Sequence, residues 1–174
     1  RTGSVRAMRG LGASSRSVVI KSRVVRHRAG TSPLSAHLRY LQRDGVTADG
    51  KAGRLFDAET DRADVSGFGE RCDGDRHHFR FIVSPEDGAD LQDLKAFTRD
   101  LMKTAEADLR TRLDWVAVDH WNTPHPHVHL LVRGVADDGQ DLIIARDYIS
   151  QGLRARAGAL ATLELGPRSE RDLR

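Results

Sequence analysis

The stretch Val116-Ala-Val-Asp-His-Trp-Asn-Thr-Pro-His-Pro-His-Val-His-Leu-Leu-Val132 decides how the chain is read. An apolar run from Trp115 to Val118 leads into His120. A six-residue interruption carrying Pro124 and Pro126 follows, and a second alternating run, His127 to Val132, leads away. The pattern predicts a β-hairpin. Residues two apart on a strand share a face and lie about 6.6 Å apart, so His127 and His129 point the same way. His120, where the other strand enters the turn, comes level with them from across the ladder. Three neutral imidazoles from two adjacent strands make a site for a divalent metal with an open coordination position, as catalytic rather than structural sites have. His125 shares their parity but stands about 13 Å from His129 on an extended strand, too far for one ion to take both. The expected ligands are therefore His120, His127 and His129, with His125 supporting them or touching substrate. Four of the chain's eight histidines fall within residues 120–129, a density that argues against incidental clustering.

The 174 residues, 39% hydrophobic, suffice for one domain with its own core. The expected organisation is a flexible basic segment over 1–16, a domain over 17–165 and a polar linker over 166–174. Because the chain begins with Arg and stops in a charged run, it reads as a segment of a longer protein. The single cysteine, Cys72, excludes an internal disulfide and a cysteine-ligated zinc site, and it agrees with a reducing cytoplasm. No run approaches the ~18 apolar residues of a membrane span, and the first twelve residues lack the apolar region of a signal peptide.

The net charge of +3 conceals an asymmetry. Residues 1–43 hold ten Lys or Arg and no acid, which leaves the remainder at −7. A basic end on a mildly acidic body points to a polyanion-binding face, with nucleic acid the foremost ligand; the alternative for residues 1–16 is a solubilising tail.

Strands are predicted near 17–27, 77–84, 113–120 and 126–133, with a fifth near 141–145. The first would present Lys21, Arg23 or His27 beside the metal site. Ser32, with Pro33 after it, is expected to cap a helix over 34–43 whose Leu34, Leu38 and Leu41 share a face. A short helix over 61–72, a long one from Glu86 to about Arg112 with acids in its first turn, and a last one over 146–163 complete the reading. The class is α+β: a central antiparallel sheet of about five strands with helices packed on one face. Tyr40 lies on the first helix between Arg39 and Arg43. It reads either as a core aromatic beside Leu38 and Leu41 or as a nucleophile whose cationic neighbours lower its pKa and hold a phosphate. Tyr148 has no such company and reads as packing.

A metal site, a cation-flanked tyrosine and a basic amino-terminal third fit one reaction. The ion binds the non-bridging oxygens of a phosphodiester, the phenol oxygen attacks phosphorus, and a sugar 3′-oxygen leaves. The phosphotyrosyl ester is close in energy to the bond broken, so the cut is reversible. Single-stranded substrate is favoured.

These residues resemble a known family. His120-Trp-Asn-Thr-Pro-His-Pro-His127-Val-His129 is similar to the third motif of the relaxases, or mobilization nucleases, among the HUH endonucleases, in the class of the T-DNA border endonuclease. Leu38-Arg-Tyr40-Leu-Gln-Arg43-Asp-Gly45 resembles the first motif, and Phe79-Arg-Phe-Ile-Val-Ser84-Pro85 the second. The three stand in the family's order over residues 38–129. The resemblance implies Tyr40 as nucleophile, His120, His127 and His129 as ligands of one divalent ion (Mg2+ or Mn2+ first, then Zn2+ or another), and Ser84 as a DNA contact, with Arg39, Arg43, Lys21 and Arg23 as further DNA-binding groups. It implies nicking of single-stranded DNA at an origin of transfer in the bacterial cytoplasm, with accessory DNA-binding proteins and a secretion-system coupling protein as partners. Related proteins often carry an acid two residues after the first metal histidine, where this chain has Asn122. Asp119 is the nearest acid in sequence, and its strand parity points it away from His120. Two other readings stand beside this one. His125-Pro-His-Val-His also fits the alternating pattern of histidine triad nucleotide hydrolases, and a DNA-binding module braced by a metal would need no chemistry.

Overall fold

The computed structural model describes residues 15–28 and 34–169. The sequence expectations for residues 1–14, for the Ser32 cap and Pro33, and for the chain after 169 lie outside the described residues. Four strands, β1 (Val18–Arg26), β2 (His77–Pro85), β3 (Trp115–His120) and β4 (His127–Arg133), form one antiparallel sheet in the order β1-β2-β4-β3. The fifth expected strand is not one. Residues 141–145 make only an isolated bridge, Val135 to Asp141, before the chain turns into its last helix.

The register sorts the side chains between two faces. One face carries Ile20, Phe79, Phe81, Val83, Trp115, Ala117, Val128, Leu130 and Val132, and it is covered by α3 (Leu94–Leu109) and α4 (Leu153–Leu165). The other carries Val116, Val118 and Leu131, which pack with Leu38 and Leu41 of α1 (Leu34–Asp44) and Phe68 and Cys72 of α2 (Val65–Cys72). Helices therefore lie on both faces, not one. The expectation failed because Leu38, Leu41 and Phe68 each need an apolar partner, and the first face is already filled. The apolar packing of this second layer is confined to β3 and β4. On the β1–β2 half the same face presents Lys21, Arg23, His78 and Arg80.

α3 begins later than its apolar period suggests. Asp93 caps it by accepting from the Ala96 amide at 2.9 Å, and the acids Glu86, Asp87 and Asp90 precede it in turns rather than lying in its first turn. The last helix opens with a π-turn over Tyr148–Gly152, and Tyr148 packs half-buried against the first core while its hydroxyl donates to Asp108 at 2.8 Å. At the other end Arg16 is held to α4. Its amide donates to Thr162 Oγ1 at 2.7 Å and its guanidinium to the Gly166 carbonyl at 2.8 Å, so the folded body includes residue 16. No helix among the described residues is long and apolar enough to cross a membrane.

Gly45 fixes the exit of α1. A Cβ there would meet Val118 Cγ2 at 2.5 Å, so only glycine lets the chain come this close to β3. Val46 then bridges His120, and the Trp121 amide donates to the Val46 carbonyl at 2.9 Å.

Among the few buried polar side chains is His78 of β2, 2% exposed. Burial, with Arg80 and His27 adding to it, pushes its pKa down to about 3. Unfolded, the same ring titrates near 6.5. Below that pH the unfolded chain therefore binds the proton more readily, and the stability His78 brings as a neutral ring is full above about 6.5 and is lost as pH falls toward 3. Replacing His78 with Phe is expected to flatten the fall of unfolding free energy across this window, as measured by chemical denaturation at stepped pH; an unchanged slope contradicts the assignment.

Candidate metal centre

The hairpin register puts His120 opposite His127 and Val118 opposite His129, so the three histidines meet at one end of the sheet, on the face that carries α1. Their ring centroids lie 5.1 Å (120 to 127), 4.5 Å (120 to 129) and 5.2 Å (127 to 129) apart. One nitrogen from each comes within 4.8 Å of the others. Bonds of about 2.1 Å to a common ion bring nitrogens to roughly 3–3.4 Å of one another, a separation that small rotations of the half-buried rings can supply.

Three observations fit this group to a cation. Nε2 of His120 is buried and has no hydrogen-bond partner among the described residues. His127 Nδ1 lies 3.0 Å from the His125 carbonyl, which only accepts, so Nδ1 carries the proton and Nε2 keeps its lone pair. Burial first, and then His120, His127 and His37, pushes the pKa of His129 down to about 4; His120 is likewise lowered by burial and by His127. His120 and His129 are therefore held in the neutral, lone-pair-bearing form.

The remaining predicted residues divide into those the fold brings to this end and those it does not. Ser84 follows the Val83–Val128 pair on β2 and so comes beside His127, on the same face. Lys21 stands one strand beyond Ile82, which pairs with His129. Arg23 lies two residues further along β1. His27, by contrast, lies past the opposite end of that strand, where its amide donates to the Arg76 carbonyl at 2.8 Å; it is not beside the triad. Tyr40 is not a core residue. It is 54% exposed, on α1, with the Arg43 guanidinium 5.2 Å from its ring centre. It shares a helical stripe with His37, three residues before, and Asp44, four after. His37 lines a cleft of about 280 Å³ with His129, Arg80 and Lys21, and Asp44 acts electrostatically on His120, so the stripe borders the triad. Arg39 lines a different cleft, with Arg26 and His78.

His125 itself is exposed, and what it gives His127 is a backbone carbonyl rather than its ring. Asn122 is exposed on the intervening loop. Asp119 is buried in the register of Val128, on the α3–α4 face, and accepts from Trp121 Nε1 at 2.7 Å. It braces the loop and does not reach the triad face. Arg80 joins this face without a role expected from the sequence. The parity that places Ser84 also places Arg80 on the triad's face, which was the available signal.

No protein-family model and no curated protein matches the chain. If the carbonyl, not the ring, of residue 125 serves His127, then His125→Ala retains metal stoichiometry after dialysis against Mn2+ or Zn2+, whereas His120→Ala and His129→Ala each weaken metal affinity at least ~10–100-fold. Elemental analysis with titration calorimetry checks this, and loss of metal in His125→Ala contradicts it.

Proposed function

We propose that this chain is the nicking domain of a relaxase, a metal-dependent transesterase that cuts and rejoins one strand of single-stranded origin-of-transfer DNA through Tyr40. The observation that carries the reading is the convergence of three imidazoles on the sheet face on which α1, with its exposed, cation-flanked tyrosine, is docked. The order of the three motifs supports it, as does the basic β1–β2 half of that face.

A divalent ion held by His120, His127 and His129 would stabilise the negative charge that grows on the non-bridging oxygens of the scissile phosphodiester. An all-imidazole donor set favours Mn2+ or a later first-row ion over Mg2+, which prefers oxygen ligands. The Tyr40 oxygen forms a bond to phosphorus, the bond from phosphorus to the 3′-oxygen breaks, and the phenol proton is balanced by the proton the 3′-hydroxyl takes up. Arg43 holds its guanidinium 5.2 Å from the centre of the Tyr40 ring, where it can meet the phosphate that the phenol attacks. Ser84 and Lys21 hold the strand beside the triad. Rejoining is the same exchange in reverse, since one phosphate ester replaces another. The setting proposed is bacterial plasmid mobilization, with accessory DNA-binding proteins and a secretion-system coupling protein as partners.

The chemistry fixes which end stays with the protein. A 5′-phosphotyrosyl link keeps the DNA on the 3′ side of the cut. Incubating the chain and Mn2+ with a randomised single-stranded library should give a denaturation-resistant adduct that retains a 3′-end label and loses a 5′-end label. Sequencing the captured strands reads the nick site. EDTA and Tyr40→Phe are expected to abolish the adduct while Tyr40→Phe leaves DNA binding within ~2-fold. An adduct that persists in Tyr40→Phe removes Tyr40 from the reaction, and an adduct on histidine that needs no metal favours a nucleotidyl-transfer chemistry instead.

A further inference from the structure

Beside the triad the sheet carries a pairing that its stability does not explain. Arg23 of β1 sits directly opposite Arg80 of β2 in the antiparallel register. Like charges directly across a ladder are destabilising. Neither guanidinium has an ion pair among the described residues, whereas Arg16, Arg71, Arg99, Arg133 and Arg156 all pair with carboxylates. Burial holds the pKa of Arg80 below its ordinary value and Arg23 lowers it further, and the pair has no carboxylate partner among the described residues.

Arg80 is also held by a chain of donors. Its Nε–H donates to His78 Nε2 at 3.0 Å. An arginine only donates, so that nitrogen of His78 is the acceptor and its Nδ1 bears the proton, which goes to His27 Nε2 at 2.6 Å. His27 Nδ1–H in turn donates to the Asp75 carbonyl at 2.8 Å. Every tautomer in this relay is fixed by its two ends. Nε of Arg80 is thereby committed to the sheet, and its terminal nitrogens are left for the cleft it shares with Arg23, Lys21, His37 and His129. Along β2, Arg80 is two residues from Ile82, the partner of His129. That offset, one strand across and two residues along, is about 8 Å, the scale of a step between neighbouring phosphates in a single strand.

We propose that Arg23 and Arg80 form a phosphate subsite for single-stranded DNA next to the scissile position, and that His78, backed by His27 and the Asp75 carbonyl, positions Arg80 for it. This assignment rests on the nuclease reading of the triad and adds the place where the neighbouring phosphodiester is held. The uncompensated Arg–Arg pair is a stability cost that a bound anion removes.

The test is binding of a fluorescein-labelled oligo-dT strand to the full chain across a salt series, with thermal melts of each variant and adduct formation scored separately. Arg23→Gln and Arg80→Gln are each expected to weaken binding ~3–10-fold and to reduce the salt slope by about 0.7, the value for one phosphate contact on a single strand. Arg23→Gln is also expected to raise Tm by ~1–2 °C without DNA, because it relieves the cross-strand repulsion. His78→Phe, which leaves the charge of a neutral ring unchanged, is expected to weaken binding as Arg80→Gln does; His78→Gln, whose amide oxygen can accept the Arg80 Nε–H, restores it to within ~2-fold. Arg112→Gln, at the far end of the sheet, serves as the control and leaves affinity and slope unchanged. The proposal is overturned if Arg23→Gln and Arg80→Gln bind with wild-type affinity and slope, if duplex DNA binds more tightly than the single strand, or if the wild-type chain binds no strand at all. Wild-type binding by His78→Phe overturns the positioning role. Binding lost as expected in a chain that forms no adduct upholds the subsite and sinks the transesterase reading alone.

Discussion

Everything at the candidate centre depends on the register between β3 and β4. Pairing His120 with His127 and Val118 with His129 puts three imidazoles on one face; a slip of one residue would turn His127 and His129 into the α3–α4 core. That slip is prohibited by apolar packing rather than by the histidines. Trp115, Ala117, Val128, Leu130 and Val132 occupy the opposite face, all buried, and each large side chain there contributes about 1.5–3 kcal/mol that a register error would forfeit. The backbone adds a second restraint, since a Cβ on Gly88 would meet the Pro126 carbonyl at 2.7 Å, which sets how the loop between the two strands sits on the turn after β2. The site is thus a by-product of where the hydrophobic residues must go.

Electrostatics then prepares what packing has placed. Burial keeps His129 and His120 neutral, and the His125 carbonyl directs the lone pair of His127 outward, so the donors need little rearrangement to accept a cation. α1 uses its apolar stripe, Leu38 and Leu41, to dock on β3 and β4, and this leaves Tyr40 on the flank of the same helix, outside the core and on the stripe it shares with His37 and Asp44. One amphipathic helix therefore both completes the second core and presents the phenol. On the basic half of the same face α1 leaves a cleft, lined by His37 with Lys21, Arg23 and Arg80, in place of a packed apolar layer.

The strands and the hairpin were legible from period-two alternation alone, and so was the triad, because parity and a two-residue spacing determine direction wherever a strand is certain. α1 was equally plain, since its leucines stand at spacings of four and three. Less was visible where the outcome depends on contacts distant in sequence. The apolar period upstream of Leu94 continues through Leu91, and only the Asp93 cap, local chemistry inside a run of acids, decides where α3 begins. Tyr40 could not be assigned to core or surface, because its position between two helix faces is resolved by which side docks on the sheet. The layer on the second face depends on packing between segments distant in sequence, and the cross-strand meeting of Arg23 and Arg80 on the β1–β2 register, which no local pattern encodes. His27 was misplaced for the same reason: its parity was right, but the antiparallel direction of β1 carries it away from the triad.

The central claim is that the β3–β4 ladder presents His120, His127 and His129 to a single cation. A crystal of the chain soaked in Mn2+ and measured at the manganese absorption edge tests it without reference to any reaction. The expected result is one dominant anomalous peak about 2.0–2.3 Å from a nitrogen of each of the three rings. A peak bound elsewhere, or none at the triad with the three rings turned to hydrogen-bond protein groups, would contradict it.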